Sequence, residues 1–281
     1  MRIDTHQFFW RYDEAEFGGL YPWSVPGAEW LRADLLPHHL QPLLQCAGVD
    51  GTVTVQVRQT LEETDWLLRL ADQYPFIKGV IGWVDLCSPE VREQLGRFCA
   101  HPKLAGVRHK LENEADDRFM LRDGFVRGMG VLAEFDVAFD LLIRPRHLAV
   151  AAELAHRFPT QRFVLDHIGK PLIKDGLVSP WDRDIQDLAV CPNVFCKVSG
   201  MVTEADWKAW KPADSRPYLD VVFDAFGTKR IVMGSDWPEC TLAASYEQVI
   251  GLLSEYVSQF SPAEQADIWG NNAISIYHIR A

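Results

Sequence analysis

No two of the six cysteines, Cys46, Cys87, Cys99, Cys191, Cys196 and Cys240, stand in a CxxC pair. Zinc–cysteine sites need such spacing, and disulfide frameworks belong to short, cysteine-dense secreted chains, so the scatter predicts reduced thiols in a cytoplasmic protein. Basic residues are outnumbered, 28 Lys and Arg against 39 Asp and Glu, for a net charge of −11. With no Lys/Arg cluster to neutralise phosphates, neither nucleic acid nor an anionic membrane is an expected partner. A small anionic ligand stays possible, because a few local arginines reverse the field inside a cleft. No apolar run approaches the ~20 residues of a membrane helix. The opening MRIDTHQFFW enters a strand-like segment at once, so a secretory signal is not expected either. A Gly-rich dinucleotide turn and a G-x-S-x-G nucleophile elbow are both missing.

What is present is a large apolar fraction, 48% of 281 residues, arranged in short runs. Strand-like segments occur at 2–8, 51–57, 76–85, 104–111, 136–143, 161–169, 194–200 and 230–237. Several are continuously apolar, as strands covered on both faces must be. Amphipathic stretches separate them. Residues 60–74 begin with Thr60 and Glu63 at capping-box spacing, residues 146–159 are rich in Ala and Leu, and residues 245–260 repeat that character. Eight strands alternating with helices predict an α/β fold, a single (β/α)8 barrel over 1–281, with an open doubly wound sheet as the competing arrangement. Residues 9–50 carry Trp10, Tyr12, Tyr21, Trp23 and Trp30 among several prolines and do not read as one helix. They are expected as a long loop after the first strand, either a lid or a packed surface excursion.

In such a barrel, polar residues at strand C-termini face the catalytic mouth. The chain places His6 on the first strand, Arg108 and His109 on the fourth, and Asp166 and His167 on the sixth. Lys197 and Ser199 fall on the seventh and Asp236 at the end of the eighth. Strand alternation allows only one of each adjacent pair to face the axis. His167 is preferred over Asp166, which is assigned to a neighbouring loop, whereas Arg108 and His109 stay open. Asp236 has a competing reading as a helix N-cap.

The motifs IDTHQFFW, GWVDL, GVRH, LDHIGKP, CKVSG, GSDWP and GNNA run in this order along nearly the whole chain. Together they resemble the lactonase branch of the amidohydrolase superfamily, which includes sugar lactonases. The resemblance implies a distorted barrel that opens a small sugar-acid (aldono) lactone, with Asp236 as the general base. It implies that His167 and His6 bind or polarise the carbonyl, and that Arg108, His109 and Lys197 contact substrate, joined by Trp237. Relatives commonly read His-x-His on the first strand, whereas this chain has His6-Gln7-Phe8. Phenylalanine cannot ligate a metal, so no cofactor is expected to be required. A divalent ion such as zinc, if used, would have His6, His167 and Asp236 as ligands. The chemistry is consistent: Asp236 takes a proton from water and returns it to the departing ring oxygen, while the histidines or an arginine stabilise the oxyanion. Two other readings remain: a metal-dependent decarboxylase or amide hydrolase of the same superfamily, and a non-catalytic sugar-acid-binding barrel.

Overall fold

The computed structural model describes residues 1–20 and 22–280; Tyr21, one of the loop aromatics, and Ala281 lie outside them. Eight parallel strands stand side by side in chain order: β1 (Ile3–Gln7), β2 (Gly51–Val55), β3 (Ile77–Gly82), β4 (Leu104–His109), β5 (Ala138–Leu141), β6 (Phe163–Leu165), β7 (Val194–Val198) and β8 (Ile231–Met233). Strands of this kind need crossover connections, and helices supply them, including Leu61–Gln73, Leu148–Arg157 and Trp181–Ala189, while Tyr246–Val257 follows the last strand. This is the expected (β/α)8 arrangement. No helix among the described residues is long and apolar enough to cross a membrane. All six cysteines are unpaired.

Alternation sorts the side chains into two layers. Outward-facing Phe139, Leu141, Phe163, Leu165, Cys196 and Val198 join the helices in one large core. Inward-facing Val53, Val55, Ile81, Ala138, Val164 and Val232 form a second core inside the barrel. The C-terminal helix Asn272–Tyr277 adds Ala273, Ile276 and Tyr277 to that inner core. One detail of the second-strand crossover differs from expectation. Thr60 accepts from Glu63 N at 3.2 Å, but the Glu63 carboxylate turns away to Val57 N at 2.8 Å and to Arg58 N. The loop amides compete for the carboxylate, so the capping box is only half made.

The loop after β1 forms a short helix at Glu14–Phe17, a single turn at Glu29–Leu31 and a helix at Pro37–Ala47. Phe17 and Trp23 pack together with ring centroids 4.3 Å apart, and Trp10 meets Trp23 edge-on at 5.1 Å. This aromatic cluster props the loop against the C-terminal end of the barrel, where Phe17, Leu20 and Trp23 line a cavity.

Closure between β1 and β8 uses Asp236 N to His6 O and Phe8 N to Trp237 O, both at 2.8 Å. Beside them the buried Asp4 carboxylate accepts from Ser235 N at 2.9 Å, Ser235 Oγ at 2.6 Å and Tyr246 Oη at 3.1 Å. Removing the acceptor strands several buried donors, each costing about 1–3 kcal/mol. Asp4→Ala is therefore expected to lose about 3 kcal/mol or more of stability in urea denaturation. A loss under about 1 kcal/mol would show that closure does not depend on this carboxylate.

Candidate active site

A cavity of about 740 Å³ opens at the C-terminal end of the barrel, with Phe8, Arg108, Lys110, His167, Thr203, Asp236 and Glu239 in its wall. His167 and Asp236 reach it through unusual backbone. β6 stops at Leu165, and His167 and Ile168 then take φ of 53° and 49°. Asp236 takes φ of 63° just after β8. Left-handed conformations cost a non-glycine residue of order 1–3 kcal/mol each, and such strain gathers at functional sites.

The turn after β6 overturns the expected choice between Asp166 and His167. Both face the barrel interior, because the chain leaves β geometry and alternation no longer applies. Asp166 holds no loop; it is the hub of a buried charge cluster. Its Oδ2 accepts from Arg108 Nη1 at 3.0 Å, its Oδ1 lies 2.8 Å from Lys197 Nζ, and His6 Nδ1 is 3.4 Å away. Burial alone raises the Asp166 pKa, but Lys197, His6 and Arg108 more than reverse this and hold the carboxyl well below its usual range. Lys197 also donates to Asp140 Oδ2 at 2.5 Å, and Tyr277 Oη donates to the same carboxylate at 3.1 Å.

His6 and His167 stack obliquely with centroids 4.3 Å apart. Burial dominates at His6 and, helped by the charges of Lys197 and Arg108, overrides the pull of Asp166 and brings its pKa down to about 3. Burial and His6 push His167 well down too. Both imidazoles are thus neutral at physiological pH. His167 Nδ1 is hydrogen-bonded to Ser199 Oγ at 3.0 Å, which turns Nε2 toward Asp236 Oδ1 at 3.9 Å. Asp236 Oδ2 accepts from Thr203 Oγ1 at 3.2 Å, while the buried Oδ1 has no hydrogen-bond partner among the described residues. Burial first, then the charge of Glu239, raises the Asp236 pKa well above the usual carboxylate value, against the pull of Lys170. A base so shifted is better matched to taking a proton near neutrality.

Ligand atoms of His6, His167 and Asp236 lie within 4.8 Å of one another. Two metal bonds of about 2.0–2.2 Å span the separation between His167 Nε2 and Asp236 Oδ1. The partnerless Asp236 Oδ1 is an oxygen donor of the kind a divalent ion takes, so the three residues fit one. Phe8, which has no ligand atom to offer, sits edge-on to His6 at 5.0 Å.

Three of the four expected substrate contacts lie elsewhere. His109 points outward from β4, stacked on Phe119 and bonded to Glu114 Oε1 at 2.7 Å. Lys197 is fully buried and spends its charge on the two aspartates. Trp237 packs edge-on against Phe9 in the outer core. Arg108 does line the cavity. Among the cavity residues that reasoning from the sequence missed are Lys110, Thr203 and Glu239. Lys110 had a signal, since it stands two positions after Arg108 and shares its face.

The model of the family described as amidohydrolase matches residues 3–279 of the chain. An L-fucono-1,5-lactonase from Burkholderia multivorans is 39% identical over 288 residues, covering 99% of this chain and 96% of its own length. The protein of the same name from Burkholderia ambifaria is 36% identical over 284 residues, with 99% and 96% covered. A crystal structure of a Burkholderia multivorans amidohydrolase with bound zinc is 38% identical, covers 100% of both chains and superposes with a TM-score of 0.93.

The contact between Gly200 and His167 gives a test of how finely this ring is placed. Gly200 has φ of 66°, and a Cβ there would lie 2.4 Å from His167 Nδ1. Gly200→Ala must displace the imidazole, and an ångström-scale shift costs roughly 10²-fold in rate. A kcat loss of that order is expected in protein whose circular dichroism is unchanged. Undiminished kcat would mean that the position of His167 is immaterial.

Proposed function

The chain belongs to the amidohydrolase family, and from that membership and the chemistry of its cavity we propose that it hydrolyses a sugar-acid lactone, with L-fucono-1,5-lactone as the first substrate to test. The observation that carries this reading is the free Asp236 Oδ1 at the cavity wall, beside a neutral imidazole. A lactone is an ester, so its opening needs a water-activating base and an oxyanion partner, with no nucleophilic side chain.

Asp236 Oδ1 takes the proton from water as the water oxygen adds to the lactone carbonyl carbon. Thr203 holds the other carboxylate oxygen, so the base is oriented before substrate arrives. Negative charge grows on the carbonyl oxygen, where the Arg108 guanidinium and the imidazoles of His6 and His167 offer stabilisation. Arg108 is fixed for this by Asp166 and by Gln56 O, which accepts from Nη2 at 2.5 Å. When bound by His6, His167 and Asp236, a divalent ion such as zinc supplies further Lewis-acid polarisation. The ring C–O bond then breaks and the product leaves as a hydroxy acid. Polar groups around the cavity, among them Glu112, Arg144 and Lys170, suit a polyhydroxylated ring. The chain is read as one catalytic domain acting in the cytoplasm.

Asp236→Asn removes the base while keeping its shape. It should lower kcat on the lactone by roughly 10²–10⁴, measured by acid release in a weakly buffered indicator assay. Near wild-type turnover by the folded variant would exclude the assignment. A second expectation concerns metal. Since the chain offers His6 on β1 and Phe8 just beyond it in place of two histidines, thorough chelation is expected to leave most of the activity, and Phe8→His to bind zinc more tightly. Activity that falls in proportion to zinc removed, by elemental analysis of the same sample, and returns with added zinc would make the ion essential.

A further inference from the structure

The cavity wall carries five cations, and four of them are already neutralised. Arg108 pairs with Asp166 at 3.0 Å. Arg58 pairs with Glu16 at 2.9 Å and Glu63 at 3.1 Å. Arg144 lies 3.3 Å from Glu112, and Lys170 lies 2.9 Å from the same carboxylate. Among the described residues, Lys110 alone of the five has no carboxylate oxygen within 4.0 Å of its ammonium. It is held in place through its backbone, whose N–H donates to Gln59 Oε1 at 2.6 Å. A lysine half-buried in a cavity, with Glu239, Glu63 and Glu112 acting on it only from beyond contact distance, is costly unless the reaction supplies a closer partner.

The bound lactone is neutral, so that partner is a charge that develops during turnover. Two oxygens acquire one: the carbonyl oxygen and the ring oxygen that leaves. Arg108 and His167, both in the cavity wall, serve the first, with His6 packed behind them. The second must be protonated as it departs, because an alkoxide is a far poorer leaving group than an alcohol. A guanidinium does not give up its proton, whereas an ammonium does.

We propose that Lys110 is the general acid that protonates the leaving ring oxygen, in place of a proton handed back by Asp236. Asp236 removes one proton from water, and hydroxide oxygen bonds to the carbonyl carbon. The ring C–O bond breaks with its electron pair on oxygen, which takes a proton from the Lys110 ammonium. The nascent carboxylic acid and the protonated Asp236 then hold two protons. One restores Lys110 and the other passes to solvent, so that lactone and water yield a hydroxy carboxylate and one proton. The environment favours donation: burial, followed by the charge of Arg108, brings the Lys110 pKa below its ordinary value.

This assignment rests on the lactonase reading, and the test separates the two. Wild type is first assayed on a panel of five- and six-carbon sugar lactones, and the variants are then compared on whichever ring it opens. Lys110→Arg keeps the charge but withholds the proton; Lys110→Met removes both. Both variants are expected to lose at least about 10² in kcat, with KM within about threefold of wild type. Lys110→Gln repeats the comparison should the Met variant fail to fold by circular dichroism. A Lys110→Arg enzyme within about fivefold of wild-type kcat would show that charge suffices and overturn the assignment. So would a Lys110→Met or Lys110→Gln enzyme that raises KM and leaves kcat intact, since that marks a binding contact. A wild type inactive on every lactone would defeat the lactonase reading, and this assignment with it. Activity in the wild type together with activity in Lys110→Arg would defeat this assignment alone.

Discussion

The ion cluster around Asp166 is the constraint to which the rest of the site conforms. Two carboxylates, Asp140 and Asp166, and two cations, Arg108 and Lys197, sit inside a barrel with almost no access to solvent. Removing such charges from water costs several kcal/mol per ion, and apolar side chains of similar volume often stabilise a protein as well or better. The return on this cost is geometric. Lys197 divides its attraction between the aspartates. Asp166, which also has Arg108 and His6, is held firmly ionised, whereas burial leaves Asp140 up at about 6 despite Lys197. The ionised hub therefore faces the mouth and anchors the guanidinium and imidazole there. Tyr277 ties the lower carboxylate to the C-terminal helix, so the cluster is braced from the opposite end of the barrel as well.

Above this floor the backbone itself is bent to purpose. His167 and Asp236 come from strands β6 and β8, which are not neighbours, yet their side chains approach to 3.9 Å. Regular strand geometry would carry one of each adjacent pair away from the axis. The left-handed turns after Leu165 and Ser235 shorten both strands and swing the side chains over the mouth. Gly200 contributes by having no Cβ, since any larger residue there would occupy the place of the His167 ring. Strain and close approach thus act together, and both depend on the packed strands beneath them to stay in place.

The barrel was legible because its signals are periodic. Strand segments, Thr60 as a helix cap, and the order of the polar strand ends all follow from alternation and turn chemistry. Legibility ended where the period ended. Asp166 was misassigned because the strand stops one residue earlier, a fact about φ that neighbouring side chains decide. Lys197 was read as a contact for substrate because it is polar and near a strand end. Its two aspartates come from β5 and β6, and only the closed barrel brings them within reach. His109 and Lys110 show the opposite case. The period-two rule applied to Arg108 already points past His109 to Lys110, and the structure follows that rule.

The balance of charge in the cavity bears on how the reaction ends. The chain carries a net charge of −11, and Glu112, Glu204 and Glu239 line the same wall as the catalytic groups. A neutral lactone enters such a field without penalty, but opening it creates a carboxylate. That product meets Arg144 and Lys170 already engaged by Glu112. A site with unpaired arginines would grip the anion and slow its release; pairing them in advance keeps their hydrogen-bonding surface for sugar hydroxyls while withholding their charge. The same logic requires any cation left unpaired to be needed during turnover itself, because its charge is otherwise an obstacle to release. On the proposed mechanism, substrate recognition, proton delivery and product release all follow from one distribution of ion pairs.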